Sequence, residues 1–175
     1  MNLHAIRFPI GELVLPDTMS ADDRDRDIAR IDSAPERLRA AIAGLSREQI
    51  DTQYRPEGWT IRQVVHHLPD SHVNSYARLK LALTEDTPLI RTYDEALWAE
   101  LSDSHGPVDM SLSLLESLHR RWVLLWSALD DSQWRRELKH PDLGVMRVDQ
   151  LLSMYAWHSD HHIAHITTLR ERKGW

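Results

Sequence analysis

The sequence has no cysteine among its 175 residues. This absence excludes disulfide bonds, zinc fingers with thiolate ligands and a cysteine nucleophile. Any metal ion bound by this chain would therefore have nitrogen and oxygen ligands, a donor set that suits zinc, nickel, iron, manganese or cobalt. Any thiol chemistry would need a thiol that arrives on a cosubstrate.

Long apolar runs and clusters of basic residues are missing as well. No apolar stretch approaches the roughly 18 residues of a membrane helix, so we expect no membrane association. Residues 1–16 lack the basic and apolar regions of a signal peptide, which makes the cytoplasm the expected location. The formal net charge is −6 and no Lys/Arg run occurs, so a nucleic-acid partner is not expected.

The apolar pattern predicts an all-α fold. The length suits one domain over residues 1–175, and no region alternates with the period of a strand. Four long amphipathic segments predict an antiparallel four-helix bundle, with an extended arm before residue 16. Pro35 is expected to kink or break the first helix, and Pro69 to kink the second. Residues 140–148 are expected to form a loop or a small hairpin around Gly144. The four segments are residues 21–43, 61–83, 110–129 and 149–172.

Four of the eleven histidines lie within residues 158–165. His158 and His162 are four positions apart, so their imidazoles lie one helical turn apart on one face and can converge on a metal ion. His161 and His165 have the same spacing, so spacing alone does not choose between the pairs.

The apolar stripe of the last helix favours His158 and His162. Steps of three and four residues from Leu151 and Tyr155 reach positions 158 and 162, which therefore face the core. Buried polar groups without partners cost about 1–3 kcal/mol each, so inward imidazoles need a ligand or hydrogen bonds. Metal binding is one interpretation, and a pair of hydrogen-bonded core histidines is the alternative.

The second helix offers candidates for a third ligand. His66 and His67 are adjacent and point about 100° apart, so only one of them can face the last helix. His67 flanks the apolar side of the helix and is the better inward candidate. We expect a supporting or surface role for His72. His119 and the loop histidines, His4, His105 and His140, are expected to be solvated.

Two motifs resemble those of a known family. Residues 54–76, YRPEGWTIRQVVHHLPDSHVNSY, are similar to the second helix of the DinB-like superfamily in its YfiT-type branch, and residues 155–166, YAWHSDHHIAHI, are similar to the last helix. Weaker similarities at residues 8–11 and 84–88 extend the resemblance over nearly the whole chain.

The resemblance implies a four-helix bundle in which three histidines bind one divalent metal ion. Zinc and nickel are the first candidates, and iron, manganese and cobalt are the others. The family's ligand in the second helix directly precedes a leucine, which corresponds to His67. The two ligands in the last helix correspond to His158 and His162, in agreement with the face argument. The resemblance also implies a homodimer.

The resemblance leaves two activities open: metal-dependent hydrolysis, and transfer of a low-molecular-weight thiol such as bacillithiol. A metal ion in an open site can activate water or deprotonate a thiol. Hydrolysis usually requires a nearby general base, and Asp70 and Asp160, the nearest carboxylates in sequence, are not placed inward by the helical pattern. We therefore expect a thiol transferase acting on an electrophilic substrate, with no catalytic side chain assigned. A hydrolase and a non-catalytic metal-binding stress protein are the alternatives.

Overall fold

Four long helices and a small hairpin make up most of the regular structure in the computed structural model, which describes residues 3–175. The prediction of an all-α bundle with few strands is confirmed. The helices are α1 Leu3–Arg7, α2 Ala21–Ile42, α3 Arg47–Ile50, α4 Ile61–Thr84, α5 Glu95–Trp98, α6 Val108–Trp126, α7 Asp131–Trp134 and α8 Val148–Lys173, and the strands are β1 Glu137–His140 and β2 Gly144–Arg147.

Side-chain caps fix where the helices begin. Thr60 precedes α4 and accepts a hydrogen bond from the Gln63 backbone N–H, while the Gln63 side chain accepts one from the Thr60 N–H. Ser20 and Asp23 form the same reciprocal box at α2. Each box satisfies two backbone donors that the first helical turn leaves unpaired. These caps set the start of α4 two turns before His67.

Both internal prolines lie inside uninterrupted helices. The predicted break near residues 33–35 is wrong, because α2 continues through Pro35, and α4 likewise continues through Pro69. Pro35 has no N–H to donate to the Ile31 carbonyl one turn earlier. That carbonyl instead pairs with His119 Nδ1 of α6 at 2.6 Å, which compensates for the lost helical bond.

The four long helices form a bundle in which each has one parallel and one antiparallel neighbour. The main interfaces are α2–α8, α2–α6, α4–α6 and α4–α8, so α2 and α4 occupy opposite corners. Helices α2 and α8 run in one direction and α4 and α6 in the other, so the α2–α8 and α4–α6 interfaces are parallel and the expected antiparallel order holds at α2–α6 and α4–α8. Two contacts fix the direction at each interface. They are Arg147–Asp17 and Arg170–Ala41 for α2–α8, His66–Ser111 and His72–His119 for α4–α6, His119–Ile31 and Arg39–Glu116 for α2–α6, and His67–His158 and Arg78–Tyr155 for α4–α8.

The long connections explain this order. Helix α4 has 24 residues and is about 36 Å long. The connection of residues 85–107 can return along that length, since an extended chain spans about 3.3 Å per residue. Helix α6 therefore starts at the same end of the bundle as α4 and packs parallel to it.

The apolar core is divided into two clusters by a layer of histidines. In α8, one cluster ends at Ala156 and the other begins at Ile163. In α4 the division falls between Leu68 and Leu79, and in α6 the buried residues on either side of it are Leu115 and Trp122. The segments between these residues contain His72, His119, His158 and His162, and His67 lies directly before Leu68, so the polar layer crosses the bundle at one level.

The N-terminal arm follows α8. The expectation of a wholly extended arm is wrong, because residues 3–7 form the short helix α1. The Arg7 carbonyl accepts a hydrogen bond from His165 Nε2, and the Pro16 carbonyl accepts one from the Gln150 side chain. Strands β1 and β2 form the hairpin expected around Gly144, with Leu138 opposite Met146. Within residues 3–175, no helix combines the length and apolar character that crossing a membrane requires.

Candidate metal centre

Three histidines from α4 and α8 converge at the histidine layer. His67, His158 and His162 each offer one ring nitrogen, and these atoms all lie within 4.8 Å of one another. The Nε2 atoms of His67 and His158 are 3.2 Å apart. The His162 ring centroid lies 4.7 Å from that of His67 and 4.4 Å from that of His158. The structure thus brings together the three residues proposed as ligands from the sequence.

The local helix geometry separates His67 from its neighbour. His66 pairs through Nδ1 with the Ser111 hydroxyl at 2.7 Å and through Nε2 with the Gly106 carbonyl at 3.1 Å. It therefore faces α6 and the segment that precedes it. The turn of about 100° between adjacent helical residues directs His67 towards α8.

Burial keeps the three converging imidazoles neutral. Burial, together with a smaller effect of the positive charge that a protonated His165 would carry, lowers the pKa of His67 to about 4. Burial also lowers the pKa of His158 and of His162 well below the usual range, with neighbouring imidazoles acting in the same direction. Neutral imidazoles have a free lone pair at pH 7, which is the form that binds metal ions.

The donor set fits a borderline divalent cation. All three atoms are imidazole nitrogens, which suit zinc, nickel, iron and copper rather than calcium or magnesium. His162 Nδ1 is buried and has no hydrogen-bond partner among residues 3–175. The Nε2 atoms of His67 and His158 form a hydrogen bond only when one of them carries the hydrogen, and a shared cation would instead bind both lone pairs.

A cleft of about 460 Å³ opens onto the histidines. Trp59 forms part of its wall, with its ring centroid 4.6 Å from that of His67 and 6.2 Å from that of His162. The sequence reasoning missed these wall residues, although five of them lie in the motif that precedes α4. The lining residues are Arg7, Phe8, Tyr54, Arg55, Glu57, Gly58, Trp59, Glu95, Ala96, Trp157, His158, His161, His162 and His165.

The other histidine pair lines the same cleft but makes different contacts. His161 stacks on Trp157 with ring centroids 4.3 Å apart. His165 stacks on Tyr54 at 4.0 Å and pairs through Nε2 with the Arg7 carbonyl. Neither joins the converging group of three, which agrees with the preference for His158 and His162.

Three of the remaining histidines differ from the expectation. His119 was expected to be solvated but is only 1% exposed, because α6 packs against both α2 and α4 and so buries a wider face. His72 is fully buried, so a surface role is wrong and the supporting role remains. His140 lies half-buried on β1 rather than in a loop, whereas His4 and His105 are exposed as expected.

The carboxylates near the histidines have distinct positions. Asp160 pairs with Arg30 at 2.7 Å and Arg37 at 2.6 Å, so it faces α2 and points away from the cleft. Burial raises the pKa of Asp70 to about 6, and Asp70 borders a small enclosed space beside His67. Glu95, which the sequence reasoning did not consider, borders both that space and the cleft.

Known proteins resemble the chain over nearly its whole length. Residues 30–166 match a family model described as the DinB superfamily. A relative from Bacillus mycoides strain KBAB4, provisionally named a metal-dependent hydrolase, is 48% identical over 170 residues, covering 97% of this chain and 98% of the relative. One from Oceanobacillus iheyensis with the same provisional name is 46% identical over 169 residues, again covering 97% and 98%.

A solved structure also resembles this one. It is YfiT from Bacillus subtilis, described as a probable metal-dependent hydrolase with an unusual four-helix bundle topology. The two chains are 47% identical and superpose with a TM-score of 0.95, covering 98% of this chain and 99% of the other.

Proposed function

The chain belongs to the DinB superfamily, and from this premise we propose that it is a metal-dependent enzyme that transfers a low-molecular-weight thiol to an electrophilic substrate. The observation that carries the proposal is the group of three neutral imidazoles beside an open cleft, in a chain that has no thiol of its own. A bacillithiol-like compound is the proposed thiol.

His67, His158 and His162 would hold one divalent ion, with zinc or nickel as the best candidates. When bound, such an ion acts as a Lewis acid that lowers the pKa of a thiol or of water at an open coordination position. The three imidazoles satisfy the ligand count typical of catalytic sites, which keep one position open for substrate.

The chain's other residues shape the reaction space. Trp59, Phe8 and Tyr54 give the cleft aromatic walls that displace water from the histidines. Arg7 and Arg55 line the same cleft and supply positive charge for an anionic group of the cosubstrate. In the transfer, a sulfur–carbon bond forms, the leaving group departs with the electron pair of its bond to carbon, and the thiol proton passes to solvent.

The positions of Asp70 and Asp160, the carboxylates nearest the ligands in sequence, favour a thiol over water as nucleophile. Hydrolysis of esters or amides usually depends on a general base within hydrogen-bond reach of the attacking water. Asp160 is bound to two arginines, and Asp70 does not line the cleft. A thiolate needs no such base once its proton has been lost.

A metal-dependent hydrolase is the second candidate. The provisional names of the relatives favour it, and Glu95 is a carboxylate that borders both the cleft and the space beside His67. Glu95 would then be the general base. A metal-binding protein without turnover is the third candidate and would show neither activity.

The experiment compares thiol conjugation with hydrolysis. Metal-loaded protein is incubated with bacillithiol and a haloarene or bimane electrophile, and in parallel with ester and amide substrates without thiol. The proposal expects metal-dependent conjugation that His158→Ala abolishes and that His105→Ala, a change at an exposed histidine, leaves unchanged. Thiol-independent hydrolysis without conjugation would instead support the hydrolase.

We further propose that the protein is a homodimer, as the resemblance implies. The segment that connects α4 to α6 has exposed apolar side chains, among them Leu89, Leu97 and Leu101, which support an interface with a second copy. The mass in solution measures this directly, and a value near the 20.4 kDa of one chain would exclude the dimer.

A further inference from the structure

We propose that His72 and His119 are positioning residues for His158, and that a chain of hydrogen bonds starting at the Ile31 carbonyl sets the tautomer and orientation of the His158 ring. This inference rests on the proposed role of His158 as a metal ligand. It goes beyond that role because it assigns a function to two buried histidines that are not members of the converging group.

The series of hydrogen bonds begins beside a proline. Pro35 lacks the N–H that would pair with the Ile31 carbonyl in an unbroken helical pattern. His119 Nδ1 lies 2.6 Å from that oxygen. A carbonyl oxygen only accepts hydrogen bonds, so His119 Nδ1 must carry the hydrogen, and in a neutral ring His119 Nε2 is then a bare acceptor.

The next two hydrogen bonds follow in the same direction. His72 Nδ1 lies 2.7 Å from His119 Nε2 and must donate to it, and the planes of the two rings are nearly parallel, with an angle of 4° between them. His72 Nε2 is then an acceptor, and His158 Nδ1 donates to it at 3.1 Å. Because a neutral imidazole carries one N–H, each link fixes the tautomer of the next ring.

The outcome at His158 is the arrangement that metal binding needs. With the hydrogen on Nδ1, the Nε2 lone pair is free, and it faces His67 Nε2 at 3.2 Å. A metal-binding histidine generally donates its other N–H to an acceptor, which fixes the tautomer and ring orientation. Here the acceptor is His72 Nε2, and the hydrogen bonds that lead away from His158 end at the Ile31 carbonyl of α2.

The surroundings hold the rings in place. His72 is fully buried, and its ring centroid lies 5.5 Å from that of Trp122 and 5.3 Å from that of Tyr155. Burial lowers the pKa of His119 to about 4, so this ring stays neutral at pH 7. By contrast, His162 Nδ1 has no hydrogen-bond partner within the described residues 3–175. His158 is therefore the converging histidine whose tautomer this series of hydrogen bonds fixes.

The first test reads the tautomers without any substitution. Nitrogen-15 NMR of the metal-free, full-length protein at pH 7 distinguishes rings protonated at Nδ1 from those protonated at Nε2. We expect His119, His72 and His158 all to be protonated at Nδ1. Protonation of His119 or His72 at Nε2 would reverse the direction of the chain and overturn the inference.

The second test measures metal affinity by chelator competition, using the zinc ion alone as the probe. His119→Leu removes the donor and the acceptor and is expected to weaken binding by about 10–100-fold. His119→Gln keeps an amide donor and a carbonyl acceptor and should recover much of that loss. His66→Leu is the matched control, since it removes an equally buried histidine of α4 whose hydrogen bonds lie outside the chain.

Thermal unfolding of every variant separates positioning from stability, and affinities are compared only where each variant is folded. If His119→Leu binds zinc as tightly as the wild type, or if His66→Leu weakens binding equally, the positioning role is excluded. A wild-type protein that binds no divalent ion would instead overturn the proposed function. The NMR measurement would still decide the direction of the hydrogen bonds in that case.

Discussion

His66 and His67 are neighbours in the chain and equally buried, yet their side chains make different contacts. His66 pairs with the Ser111 hydroxyl and the Gly106 carbonyl, so both of its ring nitrogens are occupied. His67 has its Nε2 directed at His158. What distinguishes the two side chains is the helix each faces, which follows from the helical turn between them.

The first prediction concerns the proposed ligands. Alanine at His67, His158 or His162 should abolish stoichiometric metal binding, because two imidazoles leave the ion without a third protein donor. Metal content of purified protein, measured by elemental analysis, checks this. His161→Ala is the control, since this buried ring stacks on Trp157 and does not converge with the three. Loss of metal in the control with retention in His158→Ala would contradict the assignment.

The second prediction concerns Glu95. If the nucleophile is a thiolate, Glu95→Gln should lower the conjugation rate by much less than the roughly 10²–10⁴-fold that loss of a general base costs. Steady-state rates at saturating thiol measure the effect. Glu57→Gln, at another carboxylate lining the cleft, is the matched control. A hundredfold loss confined to Glu95→Gln would show that Glu95 acts as a base in the conjugation and would contradict this prediction.

At the scale of single residues, the sequence predicted the three converging histidines but not the residues that surround them. The i, i+4 spacing and the apolar stripe select His158 and His162 because both features belong to a single helix. His119 could not be placed in the same way. Its burial depends on α2 and α4 packing on α6 together, and no single-helix pattern contains that information.

At the scale of the elements, the helix starts were predictable and the effect of Pro35 was not. Thr60 with Gln63 is a local signal, and the structure forms the box that the signal predicts. Pro35 is also a local signal for a kink or a break, yet α2 continues through it, and His119, distant in sequence, donates to the Ile31 carbonyl that Pro35 leaves unpaired. A tertiary hydrogen bond thus supplies what the local sequence lacks.

The third prediction concerns the cap of α4. Thr60→Ala removes the side-chain acceptor for the Gln63 N–H and should lower the free energy of unfolding by about 1 kcal/mol. Urea unfolding followed by circular dichroism measures the change. Ser113→Ala, at an exposed position within α6, should change it by less than about 0.5 kcal/mol. Equal effects in the two variants would show that the cap adds no stability.

At the scale of the whole molecule, one polar layer separates two apolar clusters. Ile31, Trp122 and Tyr155 belong to one cluster, and Leu38 and Ile166 belong to the other. The layer brings α2, α4, α6 and α8 into a single set of histidine contacts. The parallel order of α4 and α6 was not predictable, because the residues 85–107 that impose it show no strong pattern of their own.

The last prediction concerns the pH dependence of the metal-free protein. Burial lowers the pKa of His119 from the usual 6.5 to about 4, so the unfolded chain binds a proton at higher pH than the folded chain does. The stability that this neutral ring contributes is therefore complete above pH 6.5 and is lost as the pH falls towards 4. At 1.36 kcal/mol per pKa unit, the loss from this one group is on the order of 3 kcal/mol.

Urea unfolding of chelator-treated protein at pH 7.5 and at pH 5 measures this loss. The wild type should be less stable at pH 5, and His119→Gln, which has no titrating group there, should lose less between the two pH values. His105→Ala, a change at an exposed histidine, should match the wild type. An identical pH dependence in wild type and His119→Gln would mean that His119 is not buried as a neutral ring. The hydrogen bonds that direct His158 would then lose their fixed starting point at Ile31.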